Sequence, residues 1–367
     1  MAYFNEIFGT DGKVRPHYDD VYDHWSSLPL KKRRMLHVRS RELFSGDYFQ
    51  DPFPRILTGS EFESLSRGVE QRARAIHAFL TDYMIKGRVW NSIMSAHVLH
   101  SAILRHHAEN VLRKMSPDQL AFPYGPDIIR DRDGVWRVVE DSAGILGGLG
   151  DLVQGRKILY QLVPKFRSIL GGQSEATNDP LEFFGHLSHH FKQKAAEKGG
   201  IPLLYLHPLK KEPDGETRRL AKAFSKFGIP WTTTSNRIRQ LEIKKGKNGG
   251  VFLKGRGSRE RVGALLFRSQ PEQFDKAWFA VELMRLIDPK ISISWDHLVR
   301  HIGFGRGKVS FVRSLLGGSV WTNFSPCTQF INDKFFGLFV DKMIRRFLNQ
   351  DPLLISLSAK PVAYWSR

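Results

Sequence analysis

Residues Pro126–Asp141 read PDIIRDRDGVWRVVED. Ile128 and Ile129 stand before a polar turn, and Val135, Trp136, Val138 and Val139 follow it. Asp133–Gly134 between two apolar runs is a hairpin signal, because glycine enters the positive-φ region of a tight turn without a Cβ penalty. The stretch therefore predicts two antiparallel strands, near 126–131 and 135–140. Pairing across the turn brings Asp127, near the start of the first strand, beside Glu140, near the end of the second. Two carboxylates at neighbouring strand ends are a donor set that suits Mg2+. This small hard cation keeps several waters and binds through one or two carboxylates together with nucleotide phosphates. The plain alternative is two polar strand ends facing water. A glycine-rich loop follows, with Gly144, Gly147, Gly148 and Gly150. It either brings backbone N–H groups up to a phosphate or is a flexible turn between strand and helix.

Upstream, the period changes to that of a helix. Ser60 and Glu63 have capping-box spacing, and Phe62, Leu65, Val69, Ile76, Phe79, Leu80 and Tyr83 recur at helical intervals. A second helix is expected from about 91 to 114, so the region 1–118 reads as mostly helical. Downstream, helix and strand patterns alternate. Leu181–Lys198 reads as a helix, Ile201–Leu206 as a buried strand, and Asp214 as the cap of a helix carrying Leu220, Ala223, Phe224 and Phe227. Ile229–Thr233 reads as a second strand, Leu241–Ile243 and Val251–Leu253 as a hairpin, and Ala264–Phe267 as a further strand. That order argues a small open α/β sheet over 179–315. The last segment, 316–367, holds one helix with Phe335, Phe339, Met343, Ile344 and Phe347 on its apolar side. The fold class is α/β (α+β mixed).

Composition narrows the partners. The chain has 367 residues, 41% of them hydrophobic, which is enough for a sizeable core. Cys327 is its single cysteine, so no internal disulfide forms and a reducing, cytoplasmic setting is expected. The N-terminus lacks a signal-peptide pattern, and no long apolar run suggests a membrane span. Fifty-six basic residues against 37 acidic ones give a net charge of +19. Such a field attracts anions: nucleotides, nucleic acid or acidic lipid. Lys31–Arg34 (KKRR) and Lys244–Lys247 (KKGK) are the densest basic runs, either an anion patch or solvated faces. His97, His100, His106 and His107 cluster on one expected helix, but without cysteines or HExxH spacing they read as locally bonded rather than as zinc ligands. Phe304–Lys308 (FGRGK) lacks the spacing of a P-loop, and no G-x-S-x-G occurs.

Several stretches, in order, resemble the circularly permuted ATP-grasp family. They are FNEIFGTDGKVRPHYDDVY near the start, FPRILTGSEFESLSRGVEQRARAIHAFLTDYM, the hairpin with its VVEDS exit, FRSQPEQFD, and VWTNFSPCTQFINDK with the helix after it. The resemblance implies Mg2+ and ATP as cofactors. It also implies carboxylate and amine substrates joined through an acyl phosphate. It carries the metal role onto Asp127 and Glu140, with Ser142 where the family has an asparagine. It carries nucleotide contacts onto Asp333 and Lys334, and a later family arginine onto Arg156 as a catalytic residue. Gly147 and Gly148 stand in the phosphate-side loop, where the family's arginine is replaced by Gly144. By this reading 119–178 is the hairpin and loop of the permuted core, 179–315 a pre-ATP-grasp-like domain, and 316–367 the start of the ATP-binding lobe. The family's glycine-rich clamp after the Asp-Lys helix is matched only by Lys360–Pro361. The expectation is therefore an incomplete ATP-grasp core. It is either a ligase completed by a partner chain or further sequence, or a non-catalytic scaffold, with a basic nucleic-acid-binding protein as the third reading.

Overall fold

The protein is described from a computed structural model over residues 4–44, 51–86, 88, 92–94, 120, 122–144, 147–171, 179–206, 215–233, 240–244, 250–255, 257–268, 318–323 and 329–357. Of the expected helix over 91–114 only 92–94 are described, and they form a turn; its histidines, the Asp214 cap, Cys327 and residues 304–308 and 359–361 lie outside the described residues.

The hairpin forms as its pattern dictates. β1 (Asp127–Arg130) pairs antiparallel with β2 (Trp136–Glu140), and Asp127 stands opposite Glu140 in the register. The Asp131 side chain accepts from the Asp133 and Val135 N–H groups at 2.9 Å each, and Gly134 turns at φ 82°. An aspartate bonding its own turn amides is the usual device for closing such a loop. The third strand of this sheet has no counterpart in the sequence reading. A two-residue strand, Ile355–Ser356 (β9), lies parallel to β2. Leu357 N–H donates to Val138 O at 2.7 Å beside it.

Among the described residues three α-helices precede the hairpin: α1 (Asp19–Ser27), α2 (Leu30–Leu43) and α3 (Gly59–Leu80). The first two were not foreseen. α2 buries only Leu36 and Ser40, too narrow an apolar stripe to signal a helix by periodicity. α3 starts earlier than its pattern suggested. Thr58, not Ser60, is its cap, and the capping box closes with Glu61 instead of Glu63. Both pairs have the right spacing. Glu61 also bonds Arg130 on β1, and that tertiary contact decides between them.

Beyond the glycine loop run α4 (Leu149–Leu162), α5 (Pro164–Gly171), α6 (Pro180–Glu197) and α7 (Gly215–Lys226). The second sheet has β3 (Ile201–Leu206), β4 (Trp231–Thr233), β5 (Gln240–Lys244), β6 (Gly250–Lys254), β7 (Arg259–Phe267) and β8 (Trp321–Thr322). Its order is β4-β3-β7-β6-β5, with β8 paired to β7. β4, β3, β7 and β8 are parallel, and the β5–β6 hairpin is joined antiparallel to β7. The expected strands form an open α/β sheet, but β8, from the segment 316–367, joins it without a counterpart in the sequence pattern. β7 starts five residues before its expected beginning because Arg259–Arg261, which are polar, still pair with the edge of β6.

Apolar burial divides accordingly. α6 and α7 cover one face of the larger sheet through Phe184, Phe191, Leu220 and Phe224 against Leu204, Leu206 and Leu266. A second core joins α3 (Ala75, Ile76, Phe79, Leu80) to the C-terminal segment (Phe336, Val340, Met343, Ile344). That segment was expected to be one helix. It is α8 (Lys334–Gly337), α9 (Val340–Met343) and a π-turn over Ile344–Leu348, ended by Asn349 at φ 52°. The break leaves the Gly337 carbonyl 3.3 Å from Ser356 Oγ of β9. No described helix is long and apolar enough to cross a membrane.

Candidate functional site

The open end of the β1–β2 hairpin gathers three of the residues singled out from sequence. Asp127 and Glu140 are register partners at the strand ends, brought opposite each other by a bulge between Asp127 and Ile128. Lys334 arrives from the first turn of α8 and places Nζ 3.3 Å from Glu140 Oε2. The Lys334 side chain is 71% exposed, so this ion pair is open to exchange with solvent and ligands. Asp333 has a different duty. Its carboxylate accepts from Phe335 N–H at 2.9 Å and caps α8, which fixes the helix start that carries Lys334. Among the described residues no group of three or more His, Cys, Asp or Glu gathers. Two opposed carboxylates suffice for Mg2+, which retains waters and shares phosphate oxygens. The donor set, all oxygen, fits that ion.

The strand exit is held by amides. Gly125 N–H donates to Ser142 O at 2.9 Å, and Gly144 N–H to Pro123 O at 2.8 Å. Asn332, just before Asp333, accepts from Ala143 N–H at 2.6 Å and donates to Ala143 O at 3.2 Å. Asn323, buried at the end of β8, accepts from Phe267 N–H at 2.7 Å and donates to Phe267 O and Gly144 O. These two asparagines tie the exit to α8 on one side and to the larger sheet on the other. Ser142 lies half-buried within this tied segment.

Gly147 and Gly148 are exposed in the loop that enters α4. Gly148 is the N-cap of α4 at φ 77°, a left-handed conformation that favours glycine. Arg156 lies in α4 itself, half-buried and already engaged in an interaction of its own. It is not among the partners of the Glu140–Lys334 pair. A neighbouring ion pair, Arg219 with Asp151 of the first α4 turn, locks α4 to α7.

Arg72 and Asp141 are the residues that sequence reading missed. Asp141 directly follows Glu140. It is 2% exposed and receives a fork from Arg72, with Nε to Oδ1 at 3.0 Å and Nη2 to Oδ2 at 2.9 Å. It also accepts from the Tyr124 hydroxyl. Arg72, fully buried, extends Nη1 to Asp341 Oδ1 at 2.9 Å and Leu354 O at 3.0 Å, and Nη2 to Ser356 Oγ at 3.1 Å. Burial disfavours its charge, but Asp141 and Tyr124 outweigh that and raise its pKa. Burial, and then the Asp141 charge, raise the Tyr124 pKa, so the phenol stays a donor. The signal in sequence was faint: an arginine at a position of the α3 stripe where an apolar residue would be expected.

Residues 54–203 match the family model for circularly permuted ATP-grasp type 2 proteins. That span contains Arg72, Asp127, Glu140, Asp141, the glycine loop and Arg156. The chain is 31% identical over 179 residues to a Frankia casuarinae protein named "Putative glutamate--cysteine ligase 2-2", covering 44% of this chain and 20% of that protein. A similarly named "2-3" protein of Frankia alni is 30% identical over 180 residues, 45% of this chain and 21% of its own length. An uncharacterized Synechocystis protein is 26% identical over 184 residues, 44% of this chain and 37% of its own length. The aligned part thus spans between a fifth and about two fifths of these relatives.

Proposed function

With residues 54–203 matching circularly permuted ATP-grasp type 2 sequence, we propose that the chain carries the metal-side part of an ATP-dependent carboxylate–amine ligase site. The observation that carries this is the convergence of Asp127, Glu140 and Lys334 at one end of the hairpin. Asp127 and Glu140 would hold Mg2+, with Ser142 as a further oxygen. Bound there, the ion would neutralise charge on the transferring phosphoryl group. Lys334 would leave Glu140 and place its ammonium against a phosphate oxygen. Gly147 and Gly148 would let backbone N–H groups approach the same anion, and Asp333 would keep Lys334 in place by capping α8. Arg156 would steady the acyl phosphate while an amine displaces phosphate to form the amide. The names of the Frankia relatives fit an amino-acid carboxylate and an amine as the substrate classes. Domain 179–315 would then be the pre-ATP-grasp unit. Calorimetric titration of the full chain with Mg–ATP tests the reading. Binding at or below millimolar nucleotide is expected, with loss in Glu140→Ala and Lys334→Ala. No heat at several times that concentration would overturn it.

A second reading, contact with nucleic acid, is favoured by α2, where Lys31, Lys32 and Arg34 are exposed beside Arg39 and Arg41. Binding that does not weaken with salt would remove it, since phosphate contacts release counterions.

A further inference from the structure

We propose that Arg72 is a positioning residue that holds Glu140 and Lys334 in contact; the inference rests on the ligase reading given above. The two site residues come from segments far apart in sequence, β2 and α8. Each has an acidic residue close by that Arg72 binds. Asp141 directly follows Glu140 and takes the guanidinium fork at 3.0 and 2.9 Å. Asp341 lies on α9, which follows α8 and its Lys334, and takes Nη1 at 2.9 Å. Asp341 in turn accepts from Ser356 N–H at 3.2 Å and Ser356 Oγ at 3.1 Å, which fixes β9 against β2. One planar cation thus sets the register of both elements.

The apolar core does not do this by itself. Ile76 and Phe79 of α3 pack on Phe336, Val340, Met343 and Ile344. That attraction is non-directional. Asn332 anchors the start of α8 to Ala143, but beyond that one point the short helices, held by apolar contact alone, could rotate or slide and carry Lys334 away from Glu140. The polar contacts around Arg72 accept one arrangement, because an unmatched buried charge is strongly disfavoured. Lysine would keep the charge but lose the fork that spans both Asp141 oxygens.

The test uses the full chain and a zero-length carbodiimide, which joins a carboxylate to an amine already in contact. Mass spectrometry then reads the Glu140–Lys334 linked peptide. The wild-type protein is expected to give this peptide. Arg72→Lys, with an unchanged circular dichroism spectrum, is expected to reduce its yield about threefold or more and to weaken Mg–ATP binding about tenfold, as loss of a supporting residue does at other metal sites. Ser356→Ala, which removes a single Arg72 partner, is expected to lose about twofold on both readouts. It carries the test if Arg72→Lys does not fold. Phe166→Leu, in the separate core of α1, α2, α4 and α5, should lower the melting temperature and move neither readout. The proposal is overturned if folded Arg72→Lys keeps wild-type cross-linking and affinity. It is equally overturned if Phe166→Leu loses as much, or if the wild type gives no linked peptide. Should the wild type bind no Mg–ATP while Arg72→Lys still loses the cross-link, the ligase reading fails and the positioning role stands.

Discussion

The Arg72–Asp141 and Lys334–Glu140 pairs adjoin at the exit of β2, yet they are built on different terms. Arg72 and Asp141 are almost wholly hidden, with side-chain exposures of 0% and 1%. Lys334 and Glu140 are at 71% and 28%. In the buried pair each polar atom has a protein partner, because removal from water leaves no other way to satisfy it. In the open pair water can replace either partner at little cost. The contrast separates what fixes the geometry from what can exchange for a ligand. Under the proposed ligase reading, Lys334, which would release Glu140 for a phosphate, lies at the surface, and Arg72, which would aim it, lies inside.

The largest effect should follow from Asp141→Asn. It leaves Arg72 buried with Asp341 as its remaining anionic partner in the described network. Breaking one side of a buried charge pair costs about 3–5 kcal/mol. Urea denaturation should show a loss of that size. A loss below about 1 kcal/mol would mean that water reaches Arg72 and that the two pairs are of one kind.

Gly68→Ala probes the same interior without touching a charge. A Cβ at position 68 would meet Leu354 Cβ at 2.6 Å, and Leu354 carries a carbonyl bonded to Arg72. Overpacking of this sort costs about 1–3 kcal/mol. Thermal melts should place Gly68→Ala below the wild type and above Asp141→Asn.

Thr58→Ala, at the N-terminus of α3, should cost about 1 kcal/mol, the worth of a side-chain cap. Its partner Glu61 adds a pH signature. Burial would raise the Glu61 carboxyl, but the Thr58 N–H and Arg130 outweigh it and hold it below its ordinary 4.5. A carboxylate depressed on folding stabilises fully above its unfolded pKa and loses that contribution as pH falls through the folded one. The stability gap between wild type and Glu61→Gln should therefore narrow as pH falls from about 6 to about 3. A gap that stays constant would detach Glu61 from the Arg130 ion pair.

How much of this was legible follows from how local each signal is. The β1–β2 hairpin was read correctly because a period of two and an Asp-Gly turn lie within sixteen contiguous residues, 126–141. The opposition of Asp127 and Glu140 needed more than that: regular pairing from Arg130–Trp136 to Ile128–Val138 would set Asp127 against Val139, and a bulge the pattern does not show moves it to Glu140. The larger sheet was also legible, since its strands are short apolar runs between polar turns. β9 was not: two residues, Ile355 and Ser356, make no pattern, and only docking against Val138 makes them a strand. The role of Arg72 was hidden for a like reason. Its partners at 124, 141, 341, 354 and 356 are joined only by folding. The break in the C-terminal helix was invisible too, because a continuous helix and the broken one bury nearly the same apolar residues.

The smallest expected change in stability is also the one that speaks most directly to function. Lys334→Ala removes an exposed ammonium from a partly exposed carboxylate, so it should alter stability by no more than about 0.5 kcal/mol. Glu140 then faces solvent with no buried charge left behind, unlike Arg72 after Asp141→Asn. If the open pair exists to be exchanged, the same substitution should reduce Mg–ATP affinity by about tenfold or more while the urea midpoint stays in place, since charge-assisted contacts to phosphate are worth more than the ion pair they replace. A large stability loss with unchanged affinity would reverse the assignment, because it would make Lys334–Glu140 a second structural pair and leave Asp127 and Glu140 without a cation to hand over.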